Sequence, residues 1–559
     1  MLRPSARPEI ALPDAARRLE GARLAWPGAG GAGAGAAPTL TGLTLASGDV
    51  LPGDLFVALP GARTHGARHA GAAIAAGAVA VLTDPAGEAL LAPGTPRIVA
   101  QDVRAKLGDF AAWFYGHPAR RLVLVGITGT NGKTSAAHLA QGALRERFGP
   151  VALLGTIAAR MDGEEIPMAR TTLEAPDLQA AFAAMVERGI RACVMEVSSH
   201  AMAQHRVDGF RFDAVAFTNL TRDHLDYHHT MEDYFAAKAE LFTPAHARRA
   251  VINLEDEWGR RLARQAQIPV ETLSAAAGAD WLILPGAGAP GADGPGAAGP
   301  GEGEPGADWA GADAPSADGF DQGAAPNLPA TGARRGSSRF TLAGRGRRPI
   351  AAEVALPGAY NIANAALALV SAMAVGVDGA VAARGVAAVG AVPGRMETVT
   401  PPETGPGSAG AEAPLVVVDY AHAPDAVAKA LAALRPHTAG RLIAVLGAGG
   451  DRDQGKRGEM GRVAAAGADL VLITDDNPRS EDPAAIRAEL LAGAGAKGRE
   501  VPDRADAIGQ AVGEAGQADT VVILGKGHER TIDYGGELRP HTDLAQARQA
   551  LAAKMEGSQ

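Results

Sequence analysis

Short continuous apolar runs recur along the chain, each followed by a polar turn and then by apolar positions three and four apart. Such runs predict strands covered on both faces, and the three-four spacing predicts helices. The clearest run is Leu-Val-Leu-Val at 122–125, ended by Gly126 and followed by a glycine-rich turn and a helix. Strands over 151–154, 192–197 and 214–217, with a helix over 178–188, continue the same unit. Strands separated by helices predict a parallel sheet with crossover connections. Residues 1–118 read as a smaller α/β unit, with two short strands about Pro52-Gly53, a helix over 69–76 and a strand over 79–82. Beyond a boundary near Pro393 the alternation resumes: strands over 415–419, 442–446, 470–474 and 520–524, helices over 425–434, 458–466 and 483–491. The expected architecture is therefore three α/β domains. They are a small N-terminal domain (1–118), a central parallel sheet with a phosphate loop (119–393) and a Rossmann-like doubly wound domain (394–559).

Two stretches interrupt the pattern. Residues 276–338 are expected to be a disordered insertion, because the run over 286–319 carries almost no large apolar side chains and cannot bury enough surface to offset ordering entropy. Residues 28–37 are Gly/Ala-rich and read as a surface loop, as does 402–413. Structure is expected to resume near Ser338, and the apolar spacing from Ile362 predicts a helix. The 559 residues suit three or four domains. A formal net charge of −9 argues against a nucleic-acid binder. The single cysteine, Cys193, lies in an apolar run and reads as a small buried hydrophobe, which agrees with a reducing compartment. No signal peptide or membrane span is apparent, so a cytoplasmic, membrane-free location is expected.

Chemistry concentrates at the carboxyl ends of the expected strands, where ligands of open parallel sheets bind. Residues 128–134, Thr-Gly-Thr-Asn-Gly-Lys-Thr, join a strand to a helix. Backbone N–H groups from Gly129, Thr130, Asn131 and Gly132 and the start of the helix suit phosphate oxygens. Lys133 would reach the terminal phosphates and the Thr134 hydroxyl would hold Mg²⁺. The spacing departs from the usual phosphate loop: its first glycine would fall on Ile127, and Gly126 comes one residue early. Further polar runs follow other strands: Glu196 to His200, Thr218 to Asp226, Asp419 to His422, Gly449 to Asp453, Asp475 to Arg479 and Gly525 to Glu529.

Together these runs resemble the Mur ligases, ATP-dependent amino-acid ligases of bacterial cell-wall synthesis. The motifs are TGTNGKT (128–134), MEVSSH (195–200), TNLTRDHLDYH (218–228), YFAAK (234–238), LPGAYNIANA (356–365), VPGRME (392–397), DYAHAPDA (419–426) and GAGGDRDQGKR (447–457), in family order. Within the family, Asp476-Asn477-Pro478-Arg479 resembles the branch that adds meso-diaminopimelate to UDP-N-acetylmuramoyl-L-alanyl-D-glutamate. There Arg479 would bind the distal carboxylate, and the lysine-adding branch lacks it.

The resemblance implies roles residue by residue. ATP would be bound by Gly129 to Ser135 with Asn364 and Arg395. Thr134 and Glu196 would hold one Mg²⁺, and His224 with Lys238 a second metal site. Lys238 would be carbamylated by CO₂ to an N6-carboxylysine, since a free ammonium would repel the metal. Lys133, Glu196, His224 and Lys238 would be the catalytic set. Leu45, Ser47, Thr171, Thr172, Ser198, Gln204 and Arg206 would bind the UDP-sugar peptide. Arg452, Asp476, Asn477, Pro478, Arg479, Gly525 and Glu529 would bind diaminopimelate, two guanidinium groups matching two carboxylates. The enzyme would act as a monomer on small molecules, closing about the junction near Gly394 to exclude water. Two positions depart from the family: Ala46-Ser47-Gly48 replaces Asp-Ser-Arg, and Ala448 replaces a common cysteine. Rival readings are the same chemistry with L-lysine or another acceptor, a folylpolyglutamate synthetase-like ligase, and a non-catalytic scaffold. The presence of Lys133, Glu196, His224 and Lys238 disfavours the scaffold.

Overall fold

The computed structural model describes residues 2–27, 37–61, 64–168, 170–286, 337–400, 413–451 and 454–556. The chain divides into two compact units, 1–273 with 367–382, and 274–366 with 383–559.

Two larger sheets organise the first unit, beside a small antiparallel pair of Ile10–Ala11 with Thr39–Leu40. The N-terminal sheet runs in the order Arg23–Ala25, Arg97–Val99, Ala80–Thr83, Asp54–Ala58, Gly42–Thr44. The two strands expected about Pro52-Gly53 are present, but they pair in parallel, Gly42 with Asp54, across the short helical turn Ser47–Asp49. A hairpin is excluded because both strands feed their carboxyl ends to the same edge.

In the larger sheet Val151–Leu154, Ala192–Glu196, Val123–Thr128, Ala214–Phe217, Ala250–Asn253 and Val270–Ser274 lie side by side and parallel. Leu124, Val125, Ile127 and the whole of 214–217 are fully buried, which explains their unbroken apolar sequence. Helices Lys133–Phe148 and Ala175–Glu187 accompany these strands, and Phe182, Phe210 and Phe212 stack edge to face in the core. Cys193 is buried in the strand Ala192–Glu196, and burial alone pushes its thiol well above the ordinary range.

The second unit begins with an antiparallel meander, Trp281–Pro285, Ser338–Gly344 and Ile350–Val354. The first of these strands corrects the expected bounds of the insertion. Trp281 is 1% exposed, with the Arg347 guanidinium 4.7 Å over its ring, and Ile283 is buried with it, so the short run Trp-Leu-Ile-Leu supplies the apolar area for this strand. Residues 287–336, the bulk of the expected insertion, lie outside the described residues, as do 28–36 and 401–412.

A six-stranded sheet completes the unit, in the order Glu397–Thr398, Leu415–Asp419, Thr520–Leu524, Leu442–Leu446, Leu470–Ile473, Gly498–Glu500. All but the first strand are parallel. Helices Pro424–Leu434, Arg457–Gly467 and Pro483–Ala494 match expectation within a few residues. Arg504–Glu514 and Asp543–Glu556 are additional, and their first residues form an ion pair with both side chains at 0% exposure.

Burial alone would raise the Asp543 carboxyl, but the Arg504 charge and hydrogen bonds, with His541, overcome it and bring it down to about 2. A depressed carboxyl contributes stability above its unfolded value near 4, and that stability is lost as pH falls toward about 2. Asp543→Asn is expected to cost about 3 kcal/mol or more at neutral pH. Its deficit in urea unfolding should shrink as pH falls from about 4 toward 2.

Candidate active site

The phosphate loop leaves the strand Val123–Thr128 at Gly129, whose φ is 143°. A Cβ there would stand 1.9 Å from Thr218 Oγ1, so only glycine lets the turn close. Thr130 N–H donates to Asn219 O (2.8 Å), Asn131 N–H to Asn219 Oδ1 (3.1 Å), and Thr218 Oγ1 to Asn131 O (2.6 Å). The run after the strand Ala214–Phe217 thus braces the loop. Ile127 is still strand, which explains why the usual first glycine is absent.

Gly132, at φ 85°, caps the helix that starts at Lys133. Lys133 Nζ donates to Gly129 O at 3.0 Å and Thr130 O at 2.8 Å, placing the cation at the mouth of the loop. Thr134 and Ser135 are each 5% exposed.

Thr134 Oγ1 donates to Glu196 Oε2 at 3.0 Å. Glu196, 1% exposed, also accepts from Thr156 N (2.9 Å) and Thr156 Oγ1 (3.1 Å). Thr156 belongs to this site although sequence reasoning passed over it; its signal was a Gly-Thr pair just after the strand Val151–Leu154. Among the described residues no three His, Cys, Asp or Glu side chains cluster as a metal cage. One carboxylate and one hydroxyl at a helix start instead suit Mg²⁺, which takes its other ligands from phosphate and water.

Lys238 projects from the helix Met231–Ala239 and is 2% exposed. Its Nζ donates to Gly129 O (2.9 Å) and Thr128 Oγ1 (3.4 Å) and lies 4.8 Å over the Tyr234 ring. Burial, then the nearby Lys133 charge, holds it well below the usual lysine range. The His224 ring meets His200 edge-on at 4.9 Å and Tyr234 at 6.0 Å. Burial lowers both histidines, His200 to about 4 with His224 and His228 contributing.

Five of the seven residues expected to bind the UDP-sugar peptide converge beside Glu196. Thr171 Oγ1 is 3.1 Å from Thr156 Oγ1, and Thr172 Oγ1 donates to Glu196 O at 2.9 Å. Ser198 N–H donates to Thr172 Oγ1. Arg206 donates to Thr172 O (3.0 Å) and Gln204 Oε1 (2.5 Å) and pairs with Glu174 at 3.1 Å. Leu45 and Ser47 sit just past Gly42–Thr44, at the carboxyl edge of the N-terminal sheet.

The second unit carries the residues expected to bind the amino acid. Asp476, Asn477, Pro478 and Arg479 follow Leu470–Ile473, while Gly525 and Glu529 follow Thr520–Leu524. Lys526, 0% exposed, joins them: its Nζ donates to Asn477 Oδ1 (3.1 Å) and Glu529 Oε2 (2.8 Å) and stands 4.0 Å from Asp476. Asn477 Nδ2 donates to the same Glu529 oxygen at 2.7 Å. Burial would raise the Glu529 carboxyl, and Lys526 turns the shift downward. Sequence reasoning placed Lys526 in the polar run Gly525 to Glu529 but gave it no role, since nothing in the run itself points to a buried partner.

Arg479 adopts φ 51°, its N–H donates to Asp533 O (2.9 Å), and its Nη1 donates to Gly450 O (2.6 Å). Arg452 lies outside the described residues. Arg457, 1% exposed, donates to both Glu481 oxygens at 2.8 and 2.9 Å, and Glu481 accepts from Asp451 N. Asn364 also lies in this unit, 5% exposed on the helix Ala359–Ala374. The Arg395 guanidinium lies 4.3 Å over the Tyr420 ring.

Residues 39–115 match the family described as "Mur ligase family, catalytic domain", 127–284 "Mur ligase middle domain" and 394–527 "Mur ligase, glutamate ligase domain". A UDP-N-acetylmuramoyl-L-alanyl-D-glutamate–2,6-diaminopimelate ligase of Streptomyces coelicolor is 46% identical over 522 residues, 92% of each chain. The chain belongs to the Mur ligase family. A UDP-N-acetylmuramyl-tripeptide synthetase of Leifsonia xyli subsp. xyli is 44% identical to this Mur ligase, over 92% of this chain and 91% of the relative. A solved diaminopimelate ligase structure superposes with a TM-score of 0.59 at 31% identity, covering 92% of this Mur ligase and 96% of that chain. The three-domain α/β architecture expected from sequence is that of the family.

Proposed function

We propose that this Mur ligase uses ATP to join meso-2,6-diaminopimelate to the D-glutamate side-chain carboxylate of UDP-N-acetylmuramoyl-L-alanyl-D-glutamate, in peptidoglycan precursor synthesis. The observation that carries the choice of acceptor is Arg479, its backbone fixed by Asp533 and its guanidinium set beside the loop at Gly450. A carboxylate is a poor electrophile. Transfer of the γ-phosphoryl group converts it to an acyl phosphate, and the incoming amine then forms the amide and expels phosphate.

Gly129 to Ser135 would cradle the ATP phosphates, Lys133 would neutralise charge developing on the transferred group, and Asn364 and Arg395 would contribute to nucleotide binding. Mg²⁺, held through Thr134 and Glu196, would supply charge neutralisation between phosphates. Thr171, Thr172, Ser198, Gln204 and Arg206, with Leu45 and Ser47, would orient the UDP-linked dipeptide. Asp476 to Arg479, Gly525, Glu529 and Arg452 would orient the acceptor. No helix among the described residues is long and apolar enough to cross a membrane. The reading places a monomer in the cytoplasm, where nucleotide-linked precursors are made, with domain limits near 118 and 393.

We also propose that Lys238 carries a carbamate. Only a neutral amine attacks CO₂, and burial beside Lys133 favours the neutral form. The modification would replace an ammonium by an anionic oxygen ligand near His224. Carbon-13-labelled CO₂ should therefore give a carbamate resonance that Lys238→Arg lacks. Activity should fall in CO₂-depleted buffer and return with bicarbonate; no resonance and no CO₂ dependence would sink the idea.

The function itself is tested by phosphate release with ATP, Mg²⁺ and the UDP-linked dipeptide, offering meso-diaminopimelate and L-lysine separately. Release only with meso-diaminopimelate is expected. Release with lysine would keep the ligase chemistry and overturn the acceptor, and release with neither would overturn the reading.

A further inference from the structure

Two buried side chains away from the assigned residues hold both acceptor loops from the sheet side. Arg504 Nε donates to Asp543 Oδ1 at 2.7 Å, and Nη2 to Oδ2 at 2.8 Å. Its other contacts are backbone carbonyls: Leu524 O accepts from Nη2 at 2.9 Å, and Asp475 O from Nη1 at 3.2 Å. Leu524 immediately precedes the segment 525–529, and Asp475 immediately precedes 476–479. Those two strands are not neighbours: Leu442–Leu446 lies between them, pairing with each. No backbone ladder therefore fixes one loop against the other. Arg504 spans the missing strand width with one planar group, and Asp543 fixes that plane through a two-oxygen contact.

Cohesion alone does not account for this arrangement, since apolar residues of similar volume stabilise such a place as well as a buried ion pair does. The Asp475 side chain is occupied elsewhere, accepting from Tyr534 Oη at 2.8 Å and pairing with Arg487, so its carbonyl is the atom presented to Arg504. We propose that Arg504, fixed by Asp543, is a positioning residue that sets the separation of the 476–479 and 525–529 loops and so governs recognition of the amino-acid acceptor. This inference rests on the acceptor reading above.

The test uses the full chain with Arg504→Lys, which keeps the charge but cannot span the same acceptors, and Leu551→Ala as a control. Leu551 is 1% exposed in the core of the same unit and belongs to the helix that Asp543 opens. Steady-state constants are measured for meso-diaminopimelate, ATP and the UDP-linked dipeptide. Hydroxylamine then replaces the amino acid, trapping the acyl phosphate as a hydroxamate without using the acceptor loops. Arg504→Lys is expected to raise KM for meso-diaminopimelate about tenfold or more, with hydroxamate formation and KM for ATP within about twofold of wild type. Leu551→Ala should lower the melting temperature and leave all three KM values within about twofold.

An acceptor KM within about threefold of wild type in folded Arg504→Lys would overturn the inference. So would equal rises for all substrates, or the same acceptor effect in Leu551→Ala. Should Arg504→Lys not fold, Asp543→Asn is judged by the same criteria. A wild-type enzyme that forms hydroxamate but accepts no meso-diaminopimelate would overturn the acceptor reading, and this inference with it.

Discussion

Lys133→Met is expected to lower the rate of product formation by about a thousandfold or more, with little change in melting temperature. Methionine keeps the length and apolar stem of the lysine and removes only the charge. The fold of the loop does not depend on that charge, because Thr218 and Asn219 hold it through hydrogen bonds to 130 and 131. The ammonium donates to loop carbonyls 129 and 130, so the variant loses a cation at the phosphate mouth while the apolar stem is kept. Stopped assays for ADP, with nucleotide affinity measured separately, divide the effect between binding and transfer. A variant within about tenfold of wild type would place charge neutralisation elsewhere.

Arg479→Asn is expected to raise KM for meso-diaminopimelate by about a hundredfold, while hydroxamate formation from the UDP-linked dipeptide persists. Asparagine is the informative replacement because residue 479 sits at φ 51°, a left-handed conformation that asparagine tolerates and alanine or valine adopts at a cost. The backbone bond to Asp533 is then kept, and the lost quantity is the charge-assisted contact to the acceptor carboxylate. Unchanged kinetics with meso-diaminopimelate would remove Arg479 from the pocket.

The sequence was most readable where both faces of a strand are covered. Continuous apolar runs such as 214–217 and 442–446 have one physical reading, and their boundaries match the structure. The phosphate loop was readable because glycine at 129 answers a steric demand, the Thr218 hydroxyl, that no other residue meets. Three features were harder to read. The parallel pairing of Gly42–Thr44 with Asp54–Ala58 is a property of the whole sheet, which a Pro-Gly turn between two short strands does not reveal. Trp281–Pro285 was hidden by the low-complexity sequence that follows it. Helices Arg504–Glu514 and Asp543–Glu556 begin with a charged residue that is buried, and a charge read alone suggests solvent. Lys526, Thr156 and Arg504 belong to the same class: polar side chains whose meaning comes from partners far along the chain.

The hairpin of the second unit bears on how this chain tolerates change in length. Pro285 pairs with Phe340, and Gly286 N–H donates to Arg339 O at 2.9 Å, so the described residues on either side of 287–336 meet at the end of one strand pair. The cost of closing such a span rises only with the logarithm of its length, about 0.6 kcal/mol for each doubling. A change in the number of residues between 286 and 337 is therefore expected to leave this strand pair in place, and the pair offers a graft point. A reporter domain whose own termini lie close together could be spliced between 287 and 336, leaving the register of Trp281–Pro285 with Ser338–Gly344 as it stands.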